Sequence, residues 1–132
     1  MMAFAFAGCE EDSDSGLYNI PNEIEAYVDQ YFPDQSVIQA MLDLEGPESN
    51  YELLLDNFIK LEFNVEKAIF EIDSNVKLPD SVIPATILDY IASNYQGHYV
   101  TCWEMETGHQ QIQLNNQLEL DFDLEGQFLR LD

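Results

Sequence analysis

Basic residues are the scarcest class in this chain. Four Lys and Arg stand against 26 Asp and Glu in 132 residues, a formal charge of −22. A surface of that sign repels phosphate backbones and anionic headgroups, which excludes nucleic-acid binding. Histidine and cysteine are rarer still, two of each. Cys9 and Cys102 are far apart in the chain, so with His98 and His109 they do not make the clustered ligand spacing of a zinc site. His98, beside Gly97, precedes Cys102 by one short segment, yet nothing around the cysteine has the form of a nucleophile motif. Catalytic residues, cofactors and metal ligands are therefore not expected, and a hydrolase is the least favoured function class.

The composition does support a core. With 46% hydrophobic and 12% aromatic residues, a chain of this length builds one domain with little left for a second. The first nine residues, MMAFAFAGC, stand apart from it. FAGC resembles a bacterial lipobox, with Phe6 where Leu is usual, and makes Cys9 the expected lipid anchor. No Lys or Arg precedes Lys60, so the basic leader of an export signal is missing: either the true start lies upstream, or the segment is a short buried N-terminal strand. The acidic run EEDSDSG after Cys9 has no hydrophobic period and reads as a solvated tether over 10–19. It also resembles the surface-export signal of some lipoproteins. The expected division is a signal remnant at 1–9, the tether at 10–19 and one domain at 20–132.

That domain is an internal repeat, with units at 20–75 and 78–132. IPNEIEAYVDQYFPDQSV from Ile20 aligns with IPATILDYIASNYQGHYV from Ile83, and YELLLDNFIKLEFNVEKAIFEID from Tyr51 aligns without a gap with QQIQLNNQLELDFDLEGQFLRLD from Gln110. The two offsets differ by about four residues, which places an insertion near Gly46 and Pro47.

Each unit opens with a helix. Pro21 and Pro84 suit the first helical turn, and Ile24, Tyr27, Val28 and Tyr31 recur at spacings of three and four, as do Ile87, Tyr90 and Ile91. Pro33 and Gly97 stop the helices. Alternating apolar segments follow, broken at Asp56-Asn57 and Asn115-Asn116, which tolerate left-handed backbone, and at Glu66-Lys67 and Glu125-Gly126. The expected fold is α+β, a tandem repeat of a helix plus a four-stranded antiparallel sheet, with both helices on one face. Leu53, Leu55, Ile59, Leu61 and Phe63, with Ile112, Leu114, Leu118, Leu120 and Phe122, form the face expected to meet the helices. By repeat alignment Trp103 matches Ala40 and points inward.

The C-terminal segment LELDFDLEGQFLRLD admits two readings. Asp121, Asp123, Glu125 and Gly126 have the spacing of an EF-hand calcium loop. Against this, Leu118, Leu120, Phe122 and Leu124 alternate with acidic residues as a half-buried strand does. The equivalent segment of the first repeat, LEFNVEKAIFEID, carries no such ligand set, which favours a hairpin. Asp121 and Asp123 are then expected to point outward, and replacing them with Asn is expected to alter stability by no more than about 0.5 kcal/mol.

IPNEIEAYV, IPATILDYI and LNNQLELDFDLEGQFLRLD, in a two-copy layout, resemble the PepSY-like periplasmic proteins whose fold is similar to that of the beta-lactamase inhibitor protein. The family usually has Asn-Gly in the first hairpin; that Gly is absent from both copies here. The resemblance implies a sheet with helices on one face, carried in the cell envelope as a secreted protein or outer-membrane lipoprotein, and no established reaction. The resemblance and the lack of catalytic groups favour a non-enzymatic envelope module, binding or inhibitory, that recognises a protein partner through the open sheet face; the carboxylates expected on that face suit a basic partner. Leu54, Lys60, Ile69, Phe128 and Arg130 are the candidate partner-binding residues. The competing reading is a calcium-responsive protein that binds the ion weakly through surface carboxylates, with membrane contact only through the lipid anchor.

Overall fold

The computed structural model describes residues 20–43 and 50–132. Helix α1 (Asn22–Tyr31) leads into β1 (Val37–Asp43), β2 (Asn50–Leu55), β3 (Lys60–Asn64) and β4 (Ile69–Asp73). A 3-10 turn at Asp80–Val82 precedes α2 (Ala85–Asn94), β5 (Val100–Glu106), β6 (His109–Leu114), β7 (Glu119–Phe122) and β8 (Phe128–Leu131). All eight strands join in one antiparallel sheet in chain order. The class is α+β. The lipobox at Cys9, the acidic tether and the loop with Gly46 and Pro47 lie outside the described residues.

Each helix follows an N-cap proline whose own backbone is extended. Pro21 and Pro84 stand just before the first helical residue rather than inside the first turn, with ψ of 147° and 141°. Their carbonyls accept the N–H groups of Ile24 and Glu25 and of Ile87 and Leu88. The helices bury Ile24 and Val28, and Ile87 and Ile91, each pair one turn apart on the face that meets the sheet. Tyr27 meets Phe63 edge-on at 5.4 Å between ring centres, and Tyr90 meets Phe122 in the same way at 5.5 Å. These are equivalent pairs in the two repeats, so the repetition extends from sequence to ring geometry.

The apolar set read from alternation is buried, Leu118 only partly, and Trp103 joins it as a core ring. Its Nε1–H donates to Gln110 Oε1 at 3.0 Å, which satisfies the indole inside the core.

The turns differ from expectation by one residue. The left-handed backbone falls on Phe58 (φ 67°) and Gln117 (φ 70°), directly after the asparagines thought to carry it. Asn57 and Asn116 instead accept the N–H groups of Ile59 and Leu118 through their side chains. In the second hairpin of each repeat, Asn64 Oδ1 accepts from Glu66 and Ala68, and Asp123 Oδ1 accepts from Glu125 and Gln127.

A second difference bears on the candidate face. The ladder slips between Glu62 and Phe63, and at the equivalent place between Asp121 and Phe122. Each slip inserts one extra residue into the following strand, so counting by twos across it assigns the wrong face. Ile69 therefore sits opposite Phe63 and packs on the core, and Phe128 sits opposite Phe122. Phe128 also stacks on Tyr90 of α2 with ring centres 4.7 Å apart. Both residues belong to the helix side, not to the open face.

Candidate functional site: the open face of the sheet

Directly paired residues in an antiparallel sheet point to the same face, so the register identifies what lies away from the helices. One row crosses the sheet. Met41 is opposite Glu52, Glu52 opposite Glu62, Glu62 opposite Glu71 and Glu71 opposite Glu104. The row continues through Gln111 and Asp121 to Arg130 on the last strand. Four glutamates thus stand side by side on β2 to β5.

Cations meet this row in two places. Lys60 Nζ lies 3.9 Å from Glu52 and 3.8 Å from Glu62. Arg130 Nε lies 3.0 Å from Asp121 Oδ2, and Gln111 Nε2 donates to Asp121 Oδ1 at 3.1 Å. Glu71 faces carboxylates on both sides. Burial together with Glu62 and Glu104 pushes its acid up to about 7, Lys60 opposing only in part. Glu104 is raised as well, by burial and then by Glu106. Charge is concentrated here because the four carboxylates share one ladder with a single nearby ammonium.

Between β4 and β7 the face dips into a depression of about 210 Å³ lined by Glu71, Asp73, Cys102, Glu104, Gln111, Gln113 and Glu119. Acids and amides predominate in its lining, with Cys102 among them. The Cys102 thiol donates to Asp73 Oδ1 at 3.1 Å and to the Ser74 carbonyl at 3.6 Å. Burial pushes that thiol up, so it is held protonated and is a poor nucleophile. His98 is engaged elsewhere, with Nδ1 3.2 Å from Asn115 Oδ1. Among the described residues no group of three or more His, Cys, Asp or Glu side chains converges on a metal position.

Of the candidate residues, the fold keeps Lys60, Arg130 and half-buried Leu54 on this face and removes Ile69 and Phe128. Asp121 is on the face but is only 2% exposed, covered by Arg130, Gln111 and neighbouring His109, so it is not the solvated carboxylate expected. Asp123 is spent on backbone N–H groups of its own turn. The two do not form a calcium loop. Glu71 and Glu104 were missed because their pairing joins the two repeats, where no tight hairpin sets the register.

The sequence profile of a family described as "Putative beta-lactamase-inhibitor-like, PepSY-like" matches the chain twice, over residues 16–71 and 51–130. Among solved structures, a "putative calcium-regulated periplasmic protein" from Bacteroides thetaiotaomicron is 28% identical with a TM-score of 0.81, covering 86% of this chain and 90% of its own. A "putative periplasmic protein of unknown function" from Bacteroides vulgatus is 30% identical with a TM-score of 0.80, covering 86% of this chain and 91% of its own. None of the curated proteins matches the chain in sequence.

Proposed function

Because this chain belongs to the beta-lactamase-inhibitor-like, PepSY-like family, we propose that it is a non-enzymatic binding module of the cell envelope whose open sheet face recognises a basic protein partner. The observation that carries this reading is the row Glu52, Glu62, Glu71 and Glu104 on the face away from the helices. Four carboxylates with one ammonium among them repel one another when the protein is free. A partner that inserts Lys or Arg side chains relieves that repulsion and gains charge-assisted hydrogen bonds. An open sheet face with one depression of about 210 Å³ suits a protein surface better than a small molecule, which favours enclosure. If the partner is an enzyme, occupation of its cleft would make the module inhibitory, as the family description suggests.

Envelope placement is supported by the periplasmic relatives, and Cys9 supplies the lipid anchor in this reading. Cys9→Ser in the exported protein is expected to move the domain into the soluble fraction. For recognition, the immobilised chain is exposed to an envelope extract at moderate salt beside a Glu62→Lys/Glu104→Lys variant. Retention of a basic protein by the wild type and its loss from the variant is the expected result. Equal retention by both would remove the open face from the reading.

The calcium reading has one specific support, the description of the Bacteroides thetaiotaomicron relative. With carboxylates spread along strands rather than gathered, calcium binding here is expected to be millimolar and dispersed. Calorimetry decides: a tight one-to-one isotherm lost in Asp121→Asn/Asp123→Asn would favour a dedicated ion site.

A further inference from the structure

We propose that the outer edge of β8 accepts β1 of a second copy of this chain, continuing the sheet across the boundary between molecules. The inference is independent of what the open face binds. It rests on the repeat. β4 and β8 are equivalent strands, as are β5 and β1, and within the molecule β4 pairs with β5 to join the two repeats. β8 and β1 are the two ends of the sheet. The surface that β4 offers to β5 is thus offered again by β8, and the surface that β5 offers to β4 is offered again by β1.

The internal junction has three residue pairs, and each translates into a compatible pair between molecules. Ile72 opposite Trp103 becomes Leu131 opposite Ala40, both apolar and on the helix side. Asp73 opposite Cys102, where the thiol donates to the carboxylate, becomes Asp132 opposite Gln39, where an amide N–H can donate. Glu71 opposite Glu104, the least favourable internal pair, becomes Arg130 opposite Met41. The like-charge repulsion of that pair is thereby removed. Pair for pair, the intermolecular edge carries less like-charge repulsion than the internal junction that the fold already closes.

Among the described residues, the edges also lack the usual protection. Exposed edge strands are commonly guarded by Lys, Pro or inward charges. β8 is Phe-Leu-Arg-Leu, all exposed, with Leu129 and Leu131 about half accessible and its one charge committed to Asp121 on the neighbouring strand. β1 carries no charge from Val37 to Leu42 and exposes Ile38 and Met41. In a chain of net charge −22, two edge strands almost without acid are the places where copies approach at least cost. Net repulsion still opposes contact, so association should strengthen as salt shortens the Debye length to about 10 Å and below.

Pairing of β8 with β1 is head-to-tail, which predicts a specific mixing experiment. Sedimentation velocity of the full chain over a concentration series, in low and high salt, should show mass rising above the monomer, more so in high salt. Met41→Lys sets a cation against Arg130 and blocks the β1 edge; Leu131→Asp blocks the β8 edge. Both sites are exposed, and circular dichroism checks that each variant is folded. Each variant alone should remain monomeric, while their equimolar mixture should form dimers and nothing larger. Association of Met41→Lys alone to the wild-type extent would mean that β8 pairs with itself and would overturn the proposal. A wild type that stays monomeric to millimolar concentration in high salt would overturn it equally, leaving the edge for another protein.

Discussion

Arg130 Nε lies 3.0 Å from Asp121 Oδ2, and the places these two residues hold in the second repeat are held in the first by Glu62 and Glu71. One repeat closes its open face with an ion pair; the other leaves two acids facing each other. The same backbone register therefore produces a quiet half and a charged half of one surface. The charged half lies at the middle of the sheet, where β4 meets β5.

Asp121→Asn is expected to destabilise the protein, against the near-neutral effect read from alternation alone. The carboxylate is buried, accepts a hydrogen bond from Gln111 and is ion-paired with Arg130. An amide presents one acceptor oxygen and leaves the guanidinium without a counter-ion. A loss of about 1–3 kcal/mol in urea unfolding is expected, toward the low end because the Arg130 side chain is 57% exposed. An unchanged midpoint would mean that the pair is as weak as an ordinary surface contact.

Glu71 makes stability depend on pH in a direction that can be checked. Its acid is raised in the folded protein to about 7 from an ordinary 4.5 by burial, Glu62 and Glu104. Between those values the folded state holds the proton more tightly than the unfolded one, so this contribution is complete below pH 4.5 and is lost as pH rises through about 7. The wild-type melting temperature should fall across that window by more than that of Glu71→Gln. Above it Glu71→Gln should be the more stable protein. Parallel profiles for the two would refute the assignment.

Equivalent turns make opposite predictions for glycine. A methyl group on Gly126, at φ 90°, would overlap Thr86 Oγ1 on α2. Gly126→Ala should cost about 2–4 kcal/mol from backbone strain and overlap together. Lys67 holds the matching position at φ 68° and Phe58 an exposed one at φ 67°. Lys67→Gly and Phe58→Gly remove a strained side chain and should each stabilise by up to about 1 kcal/mol in thermal melts.

Ile24 and Ile87 are fully buried at the helix-sheet contact. An aspartate at either site places an unpaired charge there, at several kcal/mol, comparable with the roughly 5–15 kcal/mol that holds a small domain together. Both variants should lose their cooperative melt. A sharp transition in either would contradict the packing.

Two helices, an antiparallel sheet and the residues that fill its core could be read from the chain because each depends on local periodicity. Apolar positions one turn apart, or alternating along a strand, must be buried together wherever the chain is to fold at all. The repeat added long-range information of the same kind, since a pattern occurring twice specifies two similar structures. Periodicity fails where the period itself is interrupted. The extra residue in the following strand, Phe70 in β4 and Leu129 in β8, moves Ile69 and Phe128 onto the helix side, and nothing in FNVEKAIF or FDLEGQFL marks the slip. Nor does composition say which acids become neighbours. Glu71 faces Glu104 only because β4 pairs with β5 across the boundary between repeats, and Asp121 is buried because the fold brings Arg130, Gln111 and His109 around it. Charge and hydrophobicity were properties of the sequence, whereas which charges share a row, and which of them find a counter-ion, was decided by strand register in the folded sheet.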